Sequence, residues 1–339
     1  MAETLLVTGG GGFLGMALIK ALVTQGYKIK TINRGHYPEL EPLGITVLRG
    51  DLADYETASL AVEGCDAVFH VAAKPGVWGP YPEYFDANVK ATMNILKACR
   101  EHGVRKLIYT SSPSVTFAGK SQENVDESTP YPKKFLAAYP ETKAMAEKLV
   151  MEANDQDLAT VSLRPHLIWG PGDRHLIPRV IDRAKKGRLK LIGSSANVVD
   201  AVYIDNAVDA HIQAFQKLSI GASTSGRAYF IGNDEPVRMD DMINNILAAA
   251  KLPPQTARIS FRLAMAIGTL LEMVYRWLKI KSEPPLTRFV VLQLSTSHWF
   301  NPRAARDELD YHPRVSMKEG FQRLEKSLTE GKDHSTVSS

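Results

Sequence analysis

Short apolar segments alternate with longer amphipathic segments through the first half of the chain. The short segments are typical of strands buried on both faces, and the longer ones of helices that cover a sheet. Strands are predicted at 4–8, 28–33, 45–49, 66–72, 104–111 and 158–163, and helices at 13–25, 55–63, 82–101 and 139–154. This alternation predicts an α/β fold with a doubly wound parallel sheet of the Rossmann type.

Beyond residue 165 the elements become shorter and turn residues more frequent. Strands are predicted at 189–192, 203–205 and 228–231, and helices at 176–186, 206–216 and 239–249. We therefore predict a dinucleotide-binding domain at 1–165, to which segments at about 198–217 return. A smaller α/β substrate-binding lobe follows at 166–330, and the polar residues 331–339 are predicted to form a flexible tail.

The segment 261–280 is unusually apolar for a surface element. Its longest uncharged run, 263–271, has nine residues, whereas a membrane span needs about 20. The sequence therefore predicts no integral membrane span. A buried or pocket-lining helix is the main interpretation, and a helix that lies in a membrane surface or lines a tunnel for an apolar substrate is the alternative.

Composition and charge narrow the class of protein. Hydrophobic residues make up 44% and charged residues 23%, with a formal net charge of +4, which is typical of a soluble globular protein and gives no reason to expect a nucleic-acid partner. The two cysteines, Cys65 and Cys99, lie in predicted core segments without metal-ligand spacing. Reduced thiols and the absence of a secretory signal predict a cytoplasmic protein without a metal site.

A glycine-rich loop connects the first strand to the first helix. Gly9, Gly12 and Gly15 have the spacing G-x-x-G-x-x-G, in which the first glycine turns off the strand, the second admits a pyrophosphate and the third packs the helix on the sheet. Phe13 and Leu14 place backbone N–H groups at the helix N-terminus, which attracts phosphate. The loop therefore predicts dinucleotide binding.

The end of the second strand bears on which dinucleotide binds. An NAD site usually has an acid there for the ribose 2′-hydroxyl, but this chain has Asn33 followed by Arg34. The guanidinium of Arg34 can meet a 2′-phosphate, so NADPH is favoured over NADH, although Arg34 as a solvated surface residue is the alternative. Asp51, followed by Leu52, either contacts the adenine or caps the next helix.

Tyr139 and Lys143 have the spacing Tyr-x-x-x-Lys on a predicted helix, so both side chains can reach one cleft. A free tyrosine has a pKa near 10, and a neighbouring ammonium can lower that pKa toward neutrality. The strand before this helix ends in serines, and Ser112 is predicted to orient a substrate carbonyl, with Ser111 or Ser114 as alternatives.

Four motifs together resemble the extended short-chain dehydrogenase/reductases, and within them the 3β-hydroxysteroid dehydrogenase-like branch. They are the glycine loop, the segment 109–112, the Tyr-x-x-x-Lys pair and the segment 163–165. Three further stretches, 33–40, 167–173 and 283–289, resemble the reductases that act on 2-alkyl-3-oxoalkanoates in bacterial long-chain olefin biosynthesis. The resemblance covers most of the chain.

The resemblance implies a role for each matching residue. Tyr139 is the general acid in carbonyl reduction, Lys143 lowers its pKa and binds the nicotinamide ribose, Ser112 orients the carbonyl, and Asn88 fixes local backbone and a proton-relay water. Further cofactor contacts are implied at Ala72, Ala73, Thr110, Pro165 and Ile168. Departures from the family are Asn33 in place of an acid and the lack of a long terminal apolar anchor.

The implied substrate is a long-chain 2-alkyl-3-oxo acid, reduced by NADPH in a reaction that NADP⁺ reverses. A cation must then meet the substrate carboxylate, and the candidates are His166, Arg174, His175 and Arg179. The segment 164–171 has no asparagine for a sugar phosphate, which counts against nucleotide-sugar enzymes.

Two other functions are kept as alternatives, a sterol or 3β-hydroxysteroid dehydrogenase and a non-catalytic NADPH sensor. The resemblance also implies association with other enzymes of the olefin pathway and is compatible with a homodimer. Peripheral contact with a membrane is compatible with the apolar segment 261–280.

Overall fold

The structure is a computed structural model that describes residues 2–194 and 196–335. Its strands are β1 Thr4–Thr8, β2 Lys28–Asn33, β3 Thr46–Arg49, β4 Ala67–His70, β5 Lys106–Thr110, β6 Gln122–Val125, β7 Ala159–Pro165, β8 Ile168–Trp169, β9 Leu191–Ile192, β10 Val198–Val199, β11 Val202–Tyr203, β12 Arg227–Ile231, β13 Val237–Arg238, β14 Arg258–Ile259 and β15 His298–Phe300.

The helices cover both faces of the main sheet. They also build most of the second region, by which we mean the elements outside the main sheet and its covering helices. They are α1 Phe13–Thr24, α2 Tyr55–Val62, α3 Tyr81–Tyr84, α4 Ala91–Glu101, α5 Ala138–Glu152, α6 Leu176–Lys185, α7 Ile204–Lys217, α8 Met239–Ala249, α9 Phe261–Trp277, α10 Arg288–Ser295, α11 Arg303–Leu309 and α12 Met317–Ser335. One π-helical turn, Phe85–Lys90, joins α3 to α4.

The main sheet has seven parallel strands in the order β12-β7-β5-β4-β1-β2-β3. Successive residues of β1 face opposite layers: Leu5 and Val7 pack in the cluster that contains α1 and α7, whereas Leu6 packs in the cluster that contains α2, α4 and α5. Helices therefore cover both faces, and the predicted doubly wound parallel sheet is confirmed. Cys65 and Cys99 are buried, free thiols.

The main sheet takes residues from farther along the chain than the predicted boundary at 165. Strand β12 pairs in parallel with β7 from Arg227↔Val161 to Ile231↔Pro165, and α7 packs on α1 and β5. The segment that returns to the main sheet is therefore 204–231, which contains α7 and β12. The predicted 198–217 begins too early, because β10 and β11 pair in other sheets, and ends before β12. Asp205, predicted to end a strand, lies in the first turn of α7.

The second region contains elements that the sequence pattern did not predict. A four-stranded sheet has the order β13-β10-β15-β6, and none of its strands exceeds four residues. Strands this short show no alternation that could identify them. Helix α12 continues to Ser335, so 331–335 are helical where a flexible tail was predicted, and 336–339 lie outside the described residues.

The apolar segment that begins at residue 261 forms α9, which has one inward and one exposed face. Ala264, Gly268 and Glu272 are buried against the protein, whereas Leu270 and Trp277 are exposed. The predicted buried or pocket-lining helix therefore lines a cavity with Glu272, Tyr275 and Arg276, but its outer face is exposed. None of the described helices is long and apolar enough to cross a membrane.

Candidate active site

A cavity of about 520 Å³, called cavity 1, opens at the carboxyl ends of the main-sheet strands. This is where open parallel sheets bind ligands. Its walls contain every position predicted to bind the cofactor: Gly9, Gly12, Phe13, Leu14, Gly15, Asn33, Arg34, Asp51, Leu52, Ala72, Ala73, Thr110, Tyr139, Lys143, Pro165 and Ile168.

The glycine loop has the geometry of a phosphate cradle. Gly9 adopts φ +70°, and a Cβ at Gly15 would lie 2.4 Å from the carbonyl oxygen of Gly9, so a side chain at position 15 would push the helix off the loop. Gly12 is the N-cap of α1 and offers no capping side chain. The N–H groups at the start of α1 are therefore open to an anion, which fits a dinucleotide pyrophosphate.

Replacing Gly12 with alanine tests this cradle. Within 4 Å of the added Cβ, the part of the chain that the structure describes places only the Gly9 carbonyl oxygen, at 3.2 Å. A shift of a few tenths of an ångström relieves this tight contact, so the fold should tolerate the methyl group while the pyrophosphate meets it. We expect a roughly tenfold weaker dinucleotide affinity with an unchanged melting temperature, measured by titration calorimetry and thermal unfolding. Unchanged affinity would contradict the cradle.

The end of β2 presents an amide and a guanidinium instead of a carboxylate. The Oδ1 of Asn33 accepts a hydrogen bond from the backbone N of Gly11 at 2.8 Å, so Asn33 holds the glycine loop. Arg34 is exposed at the wall of cavity 1, and its carbonyl oxygen accepts a hydrogen bond from Nε of Arg49 at 3.3 Å. Two cations therefore lie at this end of the cavity.

Asp51 lies in the turn after β3, and its Oδ1 accepts a hydrogen bond from the backbone N of Ala53 at 2.9 Å. The N-cap of α2 is Asp54, whose Oδ2 accepts from the backbone N of Thr57 at 3.0 Å. The alternative of Asp51 as the helix cap is therefore wrong, and its side chain is left at the wall of cavity 1.

Two polar residues that hold the walls of cavity 1 were not singled out from the sequence. The hydroxyl oxygen of Thr8 accepts hydrogen bonds from the backbone N atoms of Val71 and Ala72, both at 3.0 Å, and so fixes the loop after β4. Asp173 caps α6, because its two oxygens accept from the backbone N atoms of His175 and Ile177 at 2.8 Å each. Both act through backbone bonds, which no spacing rule reveals.

Tyr139 and Ser112 lie where cavity 1 meets a second cavity, of about 240 Å³, called cavity 2. Burial raises the pKa of the Tyr139 phenol, and a hydrogen bond with Ser112 partly opposes that rise. The Oγ atoms of Ser112 and Ser114 are 2.9 Å apart. Ser111 lines only cavity 1 and Ser114 only cavity 2, so Ser112 alone of the three serines borders both.

Lys143 does not lower the pKa of Tyr139 in this structure, contrary to the expectation from the sequence. Its Nζ donates a hydrogen bond to the carbonyl oxygen of Thr110 at 2.5 Å and lies 4.1 Å from the ring centroid of Tyr109. Burial lowers the pKa of Lys143 itself to about 7, because a low-dielectric site disfavours the ammonium. Tyr139 therefore keeps its proton at neutral pH.

These pKa shifts give the pH dependence a direction. Lys143 is a cation below about pH 7 and loses its charge as the pH rises through that value, and the phenolate left by proton donation then lacks its neighbouring cation. With the methyl ester of a 3-oxo acid, which has no group that titrates between pH 6 and 9, we expect kcat/KM for ketone reduction to fall above about pH 7. A rate that is flat from pH 6 to 9 would contradict this assignment.

Asn88 lies in the π-helical turn and bridges two parts of the site. Its Oδ1 accepts a hydrogen bond from the backbone N of Lys74 at 2.7 Å, and its Nδ2 donates to Oγ1 of Thr142 at 3.0 Å. Asn88 therefore ties the loop after β4 to the residue before Lys143, which is the backbone-fixing role implied by the family resemblance. The relay of a proton through water remains a prediction.

Three of the four residues predicted to bind the substrate carboxylate do not line cavity 2. Arg174 pairs with Glu39 at 3.3 Å and Arg179 with Glu283 at 3.2 Å, and neither lines cavity 1 or cavity 2. His175 borders cavity 1, on the cofactor side. Only His166 lines cavity 2, and burial lowers its pKa to about 4, so it is neutral at pH 7. None of the four is a free cation in cavity 2.

A third cavity, of about 490 Å³, called cavity 3, shares Val77 and Phe289 with cavity 2. Its walls include Trp78, Tyr84 and Tyr275 and a cationic rim, and one side is formed by α9. Cavities 1, 2 and 3 thus adjoin in a row that leads from the glycine loop past Tyr139 to α9.

A buried ion pair holds the helix that carries Tyr139. Nη2 of Arg164 in β7 lies 2.7 Å from Oε1 of Glu147 in α5, and the two side chains are 4% and 0% exposed. The hydroxyl of Tyr131 donates to the same carboxylate at 2.7 Å. The segment 163–165 of the family resemblance therefore positions α5 as well as forming part of β7.

Comparison with known proteins places the chain in a family. The model of the 3-beta hydroxysteroid dehydrogenase/isomerase family matches residues 6–263. A 2-alkyl-3-oxoalkanoate reductase of Stenotrophomonas maltophilia is 50% identical over 325 residues, which cover 95% of this chain and 98% of that protein. A sterol-4-alpha-carboxylate 3-dehydrogenase of Mus musculus is 33% identical, with 96% and 91% covered.

Solved structures share the architecture. Gox2253 superposes with a TM-score of 0.77 at 25% identity, with 98% of both chains covered. MoeE5, solved in complex with UDP-glucose and NAD, has a TM-score of 0.75 at 24% identity, with 97% of this chain and 99% of that chain covered. Fold, glycine loop and sequence agree, and the chain belongs to the 3-beta hydroxysteroid dehydrogenase/isomerase family of the short-chain dehydrogenase/reductases, as an oxidoreductase that uses a nicotinamide dinucleotide.

Proposed function

We propose that the protein reduces 2-alkyl-3-oxoalkanoates to 2-alkyl-3-hydroxyalkanoates with NADPH, and that NADP⁺ supports the reverse oxidation. The observation that carries this proposal is that Tyr139 and Ser112 border both cavity 1 and cavity 2. A ketone in cavity 2 would therefore have a proton donor beside the cofactor site. The relatives named 2-alkyl-3-oxoalkanoate reductase, at 50% and 49% identity, support the substrate class.

The residues divide the chemistry between them. The nicotinamide, when bound, supplies the hydride to the keto carbon. Ser112 donates a hydrogen bond to the keto oxygen, and Tyr139 donates its proton to the same oxygen as negative charge develops there. In the proposed mechanism, Nζ of Lys143 turns from the carbonyl oxygen of Thr110 toward Tyr139 in the loaded site and, in its charged form, stabilises the resulting phenolate. Asn88 positions the helix turn before Lys143.

Cavities 2 and 3 fit a substrate with long alkyl chains. Apolar walls come from Phe117, Phe289 and Phe300 in cavity 2 and from Trp78 and Leu136 in cavity 3. Apolar side chains favour hydrocarbon over water at about 25 cal/mol per Å² of surface removed from water. The two adjoining cavities offer such surface beyond the reacting ketone.

Arg34 supports the preference for NADPH, because its guanidinium lies at the wall of cavity 1 where an NAD site has an acid. We expect Arg34→Ala to raise the Kd of NADPH roughly ten- to a hundredfold and to leave the Kd of NADH nearly unchanged. Arg174→Ala is the control, because Arg174 is exposed and pairs with Glu39 outside the cavity. Equal affinities of the parent protein for both coenzymes would contradict the assignment.

The decisive experiment gives the purified protein NADPH and a long-chain 2-alkyl-3-oxoalkanoate and follows the absorbance of the reduced nicotinamide. The expected result is oxidation of NADPH with formation of the hydroxy acid. Absence of turnover with every long-chain keto acid tested would refute the substrate assignment.

A sterol dehydrogenase is the second candidate, supported by the 33% identity to the mouse sterol-4-alpha-carboxylate 3-dehydrogenase. Parallel assays with a sterol carboxylate and a keto acid distinguish the two functions.

We also propose association with the enzymes that supply and consume these acids, and cross-linking in the native cell tests this association. Turnover of either substrate would exclude the non-catalytic sensor.

A further inference from the structure

The carboxylate of the proposed substrate needs a positively charged partner in cavity 2. The inference about that partner rests on the proposed function. One carbon separates the carboxylate of a 3-oxo acid from its keto carbon, so the carboxylate stays beside the keto oxygen at Tyr139. Among the residues that the structure describes, no lysine or arginine lines cavity 2. The polar groups there are hydroxyls, amides and two imidazoles.

The imidazole of His166 has a defined tautomer. Its Nδ1 lies 2.6 Å from the backbone carbonyl oxygen of Asp200, and a carbonyl only accepts, so Nδ1 carries the proton. The neutral ring therefore has a lone pair at Nε2, which has no hydrogen-bond partner within 2–194 and 196–335 and belongs to a ring that lines cavity 2.

The neighbouring imidazole, His298, is engaged at Nε2, and its Nδ1 is buried out of reach of a ligand and has no partner among the described residues. Thr296 donates its hydroxyl proton to the carbonyl oxygen of Leu292 at 2.7 Å, so its oxygen accepts Nε2–H of His298 at 2.6 Å. The two imidazole centroids are 6.0 Å apart. The ionisable groups around His166 are thus His298, the buried side chain of Asp200 and Tyr139, and none of them is a fixed cation.

We propose that His166 binds the substrate carboxylate by taking up one proton from solvent at Nε2 as the ligand enters. The imidazolium then donates Nδ1–H to the carbonyl oxygen of Asp200 and Nε2–H to the carboxylate. The one new covalent bond is the N–H bond at Nε2, formed with the proton from solvent. The site is neutral without substrate and becomes an ion pair with it, so the cost of burying an isolated charge is avoided.

The proposal gives the affinity a pH dependence with a definite sign. The free protein has His166 neutral above about pH 4, and the complex has it protonated. Binding therefore takes up a proton, and the affinity for the acid falls by up to tenfold per pH unit as the pH rises. The methyl ester of the same acid lacks the carboxylate and should not show this fall.

Proton uptake can be measured without turnover by combining NADPH with the 2-alkyl-3-hydroxyalkanoate, since neither reacts with the other. Titration calorimetry in phosphate and in Bis-Tris at pH 6, where Lys143 and the buried carboxyl of Asp200 are already mostly protonated, gives the number of protons bound by His166. We expect close to one proton for the parent protein and close to zero for His166→Asn, whose amide N can keep the bond to Asp200 while Nε2 is removed. His298→Gln is the control in the same wall and should retain the uptake.

Each outcome decides the proposal separately from the function. Reduction of both the acid and its ester, with no proton uptake in the parent protein, would refute the role of His166 and leave the reductase intact. Equal uptake in His166→Asn would also refute it. Failure to reduce either compound would refute the proposed function itself.

A second, independent observation concerns the outer face of α9. Leu263, Leu270, Met273 and Trp277 are 54%, 58%, 57% and 82% exposed. At 100° per residue, one apolar strip of about 120° contains the exposed side chains Leu263, Ala266, Ile267, Leu270, Met273, Val274 and Trp277. Soluble surfaces rarely keep such a contiguous strip open to water.

The charged residues in and beside α9 indicate which partner covers this apolar strip. Glu272, the one acid within α9, is turned inward and bonds Arg288 at 2.9 Å. Arg262 and Arg276 are exposed at one edge of the strip, although Nη2 of Arg276 lies 3.8 Å from Oε2 of Glu272. Lys279 and Lys281 follow the helix. An apolar strip with only cations at its edge has the pattern of helices that lie in anionic bilayer surfaces.

We infer that α9 docks the protein on an anionic membrane surface. The strip enters the acyl boundary while the cations meet lipid phosphates, and cavity 3, which α9 borders, then opens close to the lipid. The inference does not depend on which ketone the protein reduces.

Sedimentation with phosphatidylglycerol vesicles tests docking, with phosphatidylcholine vesicles as the second arm. The parent protein should sediment with the first and far less with the second. The triple variant Leu270→Gln, Met273→Gln and Trp277→Gln should stay in the supernatant. The control triple variant Val47→Gln, Leu60→Gln and Met93→Gln changes residues that are also exposed, at 45%, 58% and 49%, and should still sediment.

Light scattering without lipid tests whether a second copy of the chain, instead of a membrane, covers the strip. A dimer that the α9 variant converts to a monomer, together with no sedimentation on either vesicle, would assign the strip to a second copy and overturn the membrane inference. Sedimentation of the α9 variant equal to that of the parent protein would overturn it as well.

Discussion

Tyr139→Phe is expected to lower kcat for ketone reduction by about 10²- to 10⁴-fold, the range that general acid catalysis contributes. The phenyl ring keeps the shape of the site but has no proton for the developing alkoxide. The affinity for NADPH should change little, because the cradle at the glycine loop is untouched. Steady-state rates and the quenching of protein fluorescence by NADPH measure the two effects.

Tyr81→Phe is the matched control for the loss of a hydroxyl. Tyr81 lines cavity 3, away from Ser112, and among the described residues its hydroxyl donates one hydrogen bond, to Sδ of Met145 at 3.6 Å. Its kcat should stay within a few-fold of the parent value. Full activity of Tyr139→Phe would show that the proton comes from another group and would remove the proposed mechanism.

Glu147→Gln is expected to lower the free energy of unfolding by about 3–5 kcal/mol, because it leaves the guanidinium of Arg164 buried without its counter-charge. The same change leaves a single acceptor oxygen, which the Tyr131 hydroxyl and the guanidinium of Arg164 must then share. Chemical denaturation followed by circular dichroism measures the loss. Since α5 carries Tyr139 and Lys143, kcat should fall together with the stability.

A double variant tests whether the loss of stability in Glu147→Gln comes from the unpaired charge of Arg164 or from packing. Glu147→Leu with Arg164→Met replaces the pair by apolar side chains of similar size, which is often neutral for stability, and it should recover most of the loss. Asp182→Asn removes an exposed ion pair with Lys186 and should cost less than about 1 kcal/mol. A double variant as unstable as Glu147→Gln would attribute the loss to packing.

The nucleotide-binding half was predictable because its signals are local. Strands β1 and β2 have the predicted bounds, and the glycine loop lies between β1 and α1 as expected. Apolar runs and glycine spacing depend on neighbouring residues only. The positions predicted at the cofactor site therefore meet at one cavity.

The substrate side was less predictable because its determinants are distant in sequence. Arg174 and Arg179 are neutralised by Glu39 and Glu283, which lie 135 and 104 positions away. The short strands of the second sheet are stabilised by pairing across the chain, as β6 with β15. Lys143 could be placed on α5, but its bond to the carbonyl oxygen of Thr110 depends on how α5 packs on β5.

The position of β12 constrains the order in which the protein can fold during synthesis. The main sheet gains its edge strand only when residue 231 has left the ribosome, after the chain has already passed through β8, α6 and β9–β11. Until then β7 presents a free strand edge, which invites pairing with other chains. The edge of β7 therefore stays unpaired while the 66 residues from 165 to 231 are synthesised. We expect chaperone binding to the nascent chain to be strongest during this period.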